Sequence, residues 1–332
     1  MEAAARRWFD SATYDAGDFD ITDLVTRKQQ RGRSVSVVIP ARNEAGTVGS
    51  VVRQIRDALV VPGLVDELLV LDSDSVDGTA DQAEAAGATV IAAASIDTGT
   101  EPSPGKGEAL WKSLFVSRGD LIAFIDADLT EWGPHFVTGL LGPLLHCDDT
   151  MLVKGFYDRL ADDLPTSVPP GAAARAPQGG RVTELVARPL LNLYWPQLSA
   201  VVQPLAGEWA IRRELMESLP VPVGYGVEFA TLTDTWARHG LDAIAQVDLG
   251  RRGHRHQNVH DLGVMAAEIL ATALRRVPGG TPEIAATGQT LQQYDRLAAD
   301  GWLSRTVPTQ ERPAARTSPY YRPPADRARR EP

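Results

Sequence analysis

Cysteine is nearly absent. Cys147 is the single one in 332 residues, so no internal disulfide framework can hold the chain, and the composition fits a reducing compartment. Beside His146 it could act as a nucleophile, but an inert lone thiol is the plainer reading. Aromatic residues are scarce at 6%, so a chain that is 43% hydrophobic must build its core from Val, Ile, Leu and Ala. No apolar run approaches the roughly 20 residues of a membrane span. The opening MEAAARRWFDSATYD has no apolar stretch of the signal-peptide kind. A soluble, cytoplasmic protein with no membrane insertion is expected. Positive charge is also short: 33 Lys and Arg face 43 Asp and Glu, and the net charge of −10 argues against nonspecific nucleic-acid binding.

What the chain does have is alternation. VSVVI (35–39) is a buried-strand run closed by Pro40, and residues 44–60 carry helical spacing through Val48, Val51, Val52, Ile55 and Leu59. ELLVLD (67–72), a helix over 78–86, TVIAAA (89–94), a helix over 106–117 and LIAFID (121–126) continue the pattern. It predicts an α/β fold, a Rossmann-like and mostly parallel sheet flanked by helices, with ligands beyond the carboxyl ends of the strands. Those ends read PARNE, DSDS and DADL. Further on come a helix near 134–145, a strand at 151–157, helices from 181, near 226–239 and near 258–276, and a strand around 243–249. The expected organisation is a lead-in over 1–34, a first half over 35–158 and a flexible loop over 159–180. A smaller second half over 181–276 follows, then a C-terminal helix with a basic, Pro-rich tail over 277–332. From Leu303 onward there are seven Arg against three acids, with six Pro, so the tail reads as extended or disordered. It is either a solvated terminus or a site for an anionic partner. No internal repeat is present.

Four motifs carry chemistry. DLIAFIDADLT (120–130) ends an apolar strand in Asp126 and Asp128, which positions i and i+2 of a strand would aim the same way. Two such carboxylates repel unless a cation lies near. A divalent ion with hard oxygen ligands, Mg2+ or Mn2+, removes the conflict; the bland alternative is a turn capped by Asp128. PARNE and DSDSVDGT (72–79) are weak alone, since both suit caps and turns. PGKGEAL (104–110) sets Lys106 between two glycines at a helix start, where free N–H groups and a positive charge suit an anion. It is not a P-loop, because the spacing and the hydroxyl residue after Lys are missing. GGRVTEL (179–185) has the same character. RRGHRHQN (251–258) places His254 and His256 among Arg and Gln, where His254 is a plausible nitrogen ligand and the arginines plausible phosphate clamps.

In this order, PARNE, LDSDSVDGT, GKGEALW and DADL resemble the GT-A nucleotide-sugar glycosyltransferases. Adding LVKGFYDR, GGRVTELVARPLLN, QPLAGEWAIRR and GYGVEFATL, the span from Val35 to Leu274 is similar to the actinobacterial glucosyl-3-phosphoglycerate synthase family. That resemblance implies a retaining, metal-dependent transfer of glucose from UDP-glucose to the 2-hydroxyl of 3-phosphoglycerate, feeding methylglucose lipopolysaccharide synthesis, by a homodimer. It further implies that Pro40, Ala41, Glu44 and Ser73 hold the uridine, and that Gly105 and Lys106 lie by the diphosphate or sugar. Asp126 and Ala127 would meet the donor, Asp128 and His254 would ligate Mg2+ (or Mn2+), and Arg252 would meet phosphate. Tyr225 and Glu228 would line the glucose pocket. Gly180, Arg181, Val182 and Thr183 would bind the acceptor's phosphate, with His256 on the acceptor side. Ala93–Ser103 departs from the family as a variable loop.

The expected mechanism is front-face attack with the leaving phosphate as base. The backbone carbonyl of Leu205 would assist the developing cation, and Glu228 is the one candidate nucleophile for double displacement. Competing readings are a GT-A enzyme with another donor or acceptor (a mannosyl-3-phosphoglycerate synthase, for example), a nucleotidyltransferase and a noncatalytic sugar-nucleotide sensor. PARNE is not the basic Gly-rich loop that a nucleotidyltransferase carries after its first strand.

Overall fold

The computed structural model describes residues 2–160, 180–253, 258–277, 279, 289–295, 297–298 and 301–324. The predicted alternation is present. Strand β2 (Val35–Ala41) leads through α3 (Val48–Ile55) to β3 (Glu67–Asp72), then α4 (Thr79–Ala86), β4 (Thr89–Ala92), α5 (Lys106–Val116) and β5 (Leu121–Phe124). β2 is parallel to both β3 and β5, and β3 to β4. A strand covered on both faces is apolar at nearly every position, as VSVVI is. Val37 and Ile39 join the core under α3 and α6 (His135–His146), whereas Val38 joins the core on the opposite side, under α5. α3 begins at Val48, later than the apolar spacing implied, because residues 42–47 are spent in a turn.

The second part of the chain completes the same sheet. β6 (Leu152–Leu160), β7 (Trp209–Arg212) and β9 (Ile244–Gly253) extend it beyond β5, giving the order β1-β9-β6-β7-β5-β2-β3-β4 with β1 at Thr13–Asp15. β7 runs antiparallel to both β5 and β6, and every other neighbouring pair is parallel. The expected split into halves at 159–180 therefore does not divide the fold; residues 161–179 lie outside the described residues. α7 (Arg188–Tyr194), α8 (Arg213–Met216), α9 (Val227–His239) and α10 (Val259–Arg276) pack on the α5 side.

Both ends depart from expectation. The lead-in forms α1 (Ala3–Ala12), β1 and α2 (Ile21–Gln30). Trp8 is 3% exposed, its Nε1 donates to the Ile244 carbonyl at 2.8 Å, and β1 pairs with β9. Scattered Trp8, Phe19 and Leu24 are core residues, too widely spaced to signal it. At the other end, α10 stops at Arg276, and the next regular element among the described residues is a strand rather than the expected helix. Instead β10 (Gln289–Tyr294) and β11 (Trp302–Val307) form a hairpin, and β12 (Glu311–Arg312) pairs antiparallel with β8 (Val221–Pro222). Tail residues Val307, Ala315 and Tyr321 are buried.

Candidate active site

The two acids of DADL lie just past the last residue of β5, in a turn, so they do not sit at i and i+2 of a strand. They still converge. Nη2 of Arg252, near the end of β9, donates to Asp126 Oδ2 at 3.1 Å and to Asp128 Oδ1 at 2.9 Å. Its Nη1 donates to the Tyr157 hydroxyl at 2.6 Å and lies 3.1 Å from Glu208 Oε1. The conflict between like charges is thus relieved by a guanidinium supplied from another strand. Arg252 was expected to meet phosphate; here its fork is committed to three carboxylates. Burial opposes its charge, but Glu208, Asp126 and Asp128 hold its pKa well above the usual value.

Lys106, the first residue of α5, bridges the other side: its Nζ is 2.7 Å from Asp126 Oδ1 and 2.9 Å from Glu228 Oε1. Burial acts against both ions. For Asp126 the cations Lys106 and Arg252 outweigh it and hold the carboxyl below its ordinary range. For Lys106 the two carboxylates raise the pKa well above normal. Gly105 has φ +134°, and a Cβ there would lie 2.3 Å from the Val223 carbonyl oxygen; at Gly107 it would lie 1.8 Å from that of Pro222. These glycines allow a close approach of backbones. Two of the first-turn N–H groups are not free for an anion as PGKG suggested. Gly107 N–H donates to Gly224 O at 3.3 Å and Glu108 N–H to Val223 O at 2.8 Å.

Three participants were not legible as such. Glu208, in QPLAGEW, is wholly buried, and burial raises its pKa despite Arg252. Tyr157 shares Arg252 with it. Lys154, in LVKGFY, is 2% exposed and donates to Ala206 O at 2.8 Å. Burial lowers its pKa to about 8, against the pull of Glu228 and Glu208. The available signal was a lone charge inside an apolar strand run. Lys154 holds the turn carrying Leu205, which Ala206 N–H closes onto Gln203 O at 3.1 Å. In the same turn a Cβ at Gly207 would lie 2.2 Å from Asp126 Oδ2. Ala127 is buried between the acids.

At the ends of β2 and β3 the two polar loops are laced together. Ser73 N–H donates to Ala41 O, just past Pro40, at 2.9 Å; Asn43 N–H donates to Ser75 Oγ at 2.9 Å; and Glu44 N–H donates to Thr79 Oγ1 at 2.8 Å. Asn43 and Asp74 take positive φ, 57° and 59°, which Asn and Asp tolerate better than other non-glycine residues. PARNE and DSDSVDGT therefore make one double loop rather than two helix caps. Tyr225 is 40% exposed, and its N–H donates to Glu268 Oε2 at 2.5 Å. Glu228 is buried in the first turn of α9.

Gly180 has φ +72°, Val182 and Thr183 are buried, and Arg181 is exposed. They open a helical stretch over 181–194 that includes a π-helical turn, Thr183–Ala187, packed against α10. His254 and His256 lie outside the described residues. Among the described residues no group of three or more His, Cys, Asp or Glu is arranged to hold a metal. The donor set nonetheless fits a hard cation at Asp128. That side chain is 32% exposed, and Arg252 takes its Oδ1, leaving Oδ2. Mg2+ and Mn2+ sites of one or two protein carboxylates completed by phosphate oxygens are common.

A mostly parallel sheet whose carboxyl edge carries this D-x-D turn and double loop is a GT-A type glycosyltransferase fold, and residues 36–170 match the model of glycosyl transferase family 2. The chain is 50% identical over 270 residues to glucosyl-3-phosphoglycerate synthase of Mycolicibacterium smegmatis, covering 81% of this chain and 86% of that protein. To the Petrotoga mobilis enzyme of the same name it is 42% identical over 259 residues, 78% of each. The Mycobacterium tuberculosis synthase, solved with phosphoglyceric acid, superposes with a TM-score of 0.77 at 44% identity, covering 90% of this chain and 95% of that one. It has also been solved with Mn2+, UDP-glucose and phosphoglyceric acid together, at 43% identity and a TM-score of 0.77. This chain belongs to the glucosyl-3-phosphoglycerate synthase family.

Proposed function

We propose that the chain moves glucose from UDP-glucose to the 2-hydroxyl of 3-phosphoglycerate with retention of configuration, giving glucosyl-3-phosphoglycerate. The observation that carries this is the ion cluster at the sheet's carboxyl edge. Lys106, Asp126, Arg252 and Asp128 are held by one another in a chain half identical to enzymes of that name. The double loop of Pro40, Ala41, Glu44 and Ser73 takes the uridine. Gly105, Lys106, Asp126 and Ala127 face the diphosphate and sugar, and Tyr225 and Glu228 bound the glucose. Gly180, Arg181, Val182 and Thr183 receive the acceptor's phosphate, with His256 beside them. Asp128 and His254 hold the cation, Mg2+ with Mn2+ as the second choice. When bound, that cation stabilises negative charge on the departing UDP.

The protein's own part is electrostatic. Lys106 and Arg252 are fixed cations in a largely dry site, where such groups act more strongly than in water. Glu228 spends Oε1 on Lys106 and is buried, which favours front-face attack over a Glu228 nucleophile. Under that mechanism the acceptor hydroxyl gives its proton to the leaving phosphate, and the Leu205 carbonyl, in the turn held by Lys154, lies beside the developing cation. No helix among the described residues is long and apolar enough to cross a membrane. The reading places the enzyme in the cytoplasm, as a homodimer supplying methylglucose lipopolysaccharide synthesis.

A donor-by-acceptor screen tests it. UDP-glucose with 3-phosphoglycerate should give the fastest turnover, GDP-mannose and D-glycerate little, and EDTA should abolish the rate until Mg2+ or Mn2+ is restored. Equal rates with GDP-mannose would refute the donor assignment, and full activity in EDTA would refute the metal.

A further inference from the structure

Beyond β11 the chain turns back along α5 instead of leaving the molecule. Val223 N–H donates to Gln310 O at 3.1 Å, and the next two residues form β12 against β8. Arg312 then meets Glu108 with both arms of its fork: Nε to Oε2 at 2.6 Å and Nη2 to Oε1 at 3.0 Å. Nη2 also donates to Glu101 O at 2.5 Å, and the guanidinium lies 5.5 Å from the centre of the Trp111 ring. Trp111 Nε1 donates to Pro313 O at 2.9 Å. Farther along, Tyr321 packs edge-on against Phe115 and donates to Glu217 Oε2 at 2.5 Å. Tyr320 lies so close to Gly99 that a Cβ there would come within 2.0 Å of its ring.

Several of these contacts fall on pieces that set the position of Lys106. Gly99 and Glu101 belong to the loop entering α5, Glu108 is in the first turn of α5, and Val221–Val223 is the strand and turn onto which that first turn docks. Glu108 is buried. A buried carboxylate without a matching fork is costly, and Lys112, the other cation near it, stands 3.6 Å away with its ammonium committed to Ala93 O.

We propose that residues 307–322 are a strap whose Arg312 is a positioning residue for Lys106, and so for the sugar-nucleotide donor. The inference rests on the donor reading above. The strap touches the donor side of the site through α5 and the 221–226 turn, and none of its contacts named here falls on the acceptor segment at 180–183.

The test uses full-length Arg312→Ala and Arg312→Lys, each assayed well below its own melting temperature. KM for UDP-glucose and the calorimetric Kd for UDP should both rise roughly tenfold in the alanine variant, with KM for 3-phosphoglycerate within about twofold of wild type. The lysine variant keeps the charge without the fork and should fall between. Arg305→Ala, which removes an arginine paired with Asp261 on α10, is the control and should leave the donor parameters unchanged. A lowered melting temperature with unchanged donor KM and UDP affinity overturns the proposal, because a tail that only stabilises would give that result. Equal losses on the donor and acceptor sides also overturn it. If the alanine variant does not fold, an unchanged donor KM in the lysine variant is decisive against it. A wild type that binds UDP but does not glucosylate 3-phosphoglycerate refutes the acceptor reading alone, since UDP affinity still reports on the strap.

Discussion

Glu268 shows how a single buried acid can tie a site to pH. Burial raises its pKa to about 7, the nearby Glu228 adds to the rise, and the N–H of Tyr225 works against it. An ordinary glutamate in the unfolded chain titrates near 4.5. Between those values the folded state holds the proton and the unfolded state does not, so stability falls as pH rises through that window and stays lower above it. Glu268→Gln keeps an acceptor for the Tyr225 N–H and removes the titration. The variant should match wild type below about pH 4.5 and exceed it at pH 8 by on the order of 1 kcal/mol or more. Urea unfolding at the two pH values measures this; a wild-type advantage at pH 8 would contradict it. The same residue marks a limit of sequence reading. A Glu in the middle of an amphipathic helix looks solvated, and only the fold reveals that Gly224 and Tyr225 lie on top of it.

At the level of elements, the glycines around Lys106 were legible and their purpose was not. PGKG signals a helix start in any sequence, but whether the N–H groups meet an anion or a neighbouring backbone depends on what packs there. Here it is the 221–226 turn, more than a hundred residues away. Gly107→Ala sets a methyl against the Pro222 carbonyl, and backbone cannot swing aside as a flexible side chain can. The expected cost is about 1–3 kcal/mol of stability together with a raised KM for UDP-glucose. Thermal unfolding and donor kinetics check both, and an unperturbed variant would mean that the turn and α5 separate easily. The D-x-D turn followed the opposite course. The family it marks was legible from the order of the motifs, whereas the cation that reconciles its acids arrives from β9, which no local pattern could indicate.

For the whole molecule, the strand–helix alternation over 35–146 was legible because each element carries its own period. The ends were not, since the apolar residues of the lead-in are scattered, β1 is short and the tail is polar and Pro-rich; their burial comes from long-range packing. Trp8→Ala tests how far the amino-terminal segment belongs to the fold. It removes a buried indole and its bond to Ile244 O, and large-to-small changes of this kind cost about 3–5 kcal/mol. A melting temperature within a degree or two of wild type would show that the lead-in is only appended.

The pairing of β1 with β9 also has a bearing on how the protein is made. Thr13 lies opposite Gln246, so β1 leaves the ribosome long before the strand it pairs with and must wait for it. Until then Trp8 and the unpaired backbone of β1 stay exposed, and closure over so long a stretch of chain is slow. In the finished sheet β1 covers Gln246–Asp248 on the outer edge of β9, an open edge that would otherwise invite pairing with another chain. Until β1 docks, that edge is a place where the nascent protein is open to aggregation.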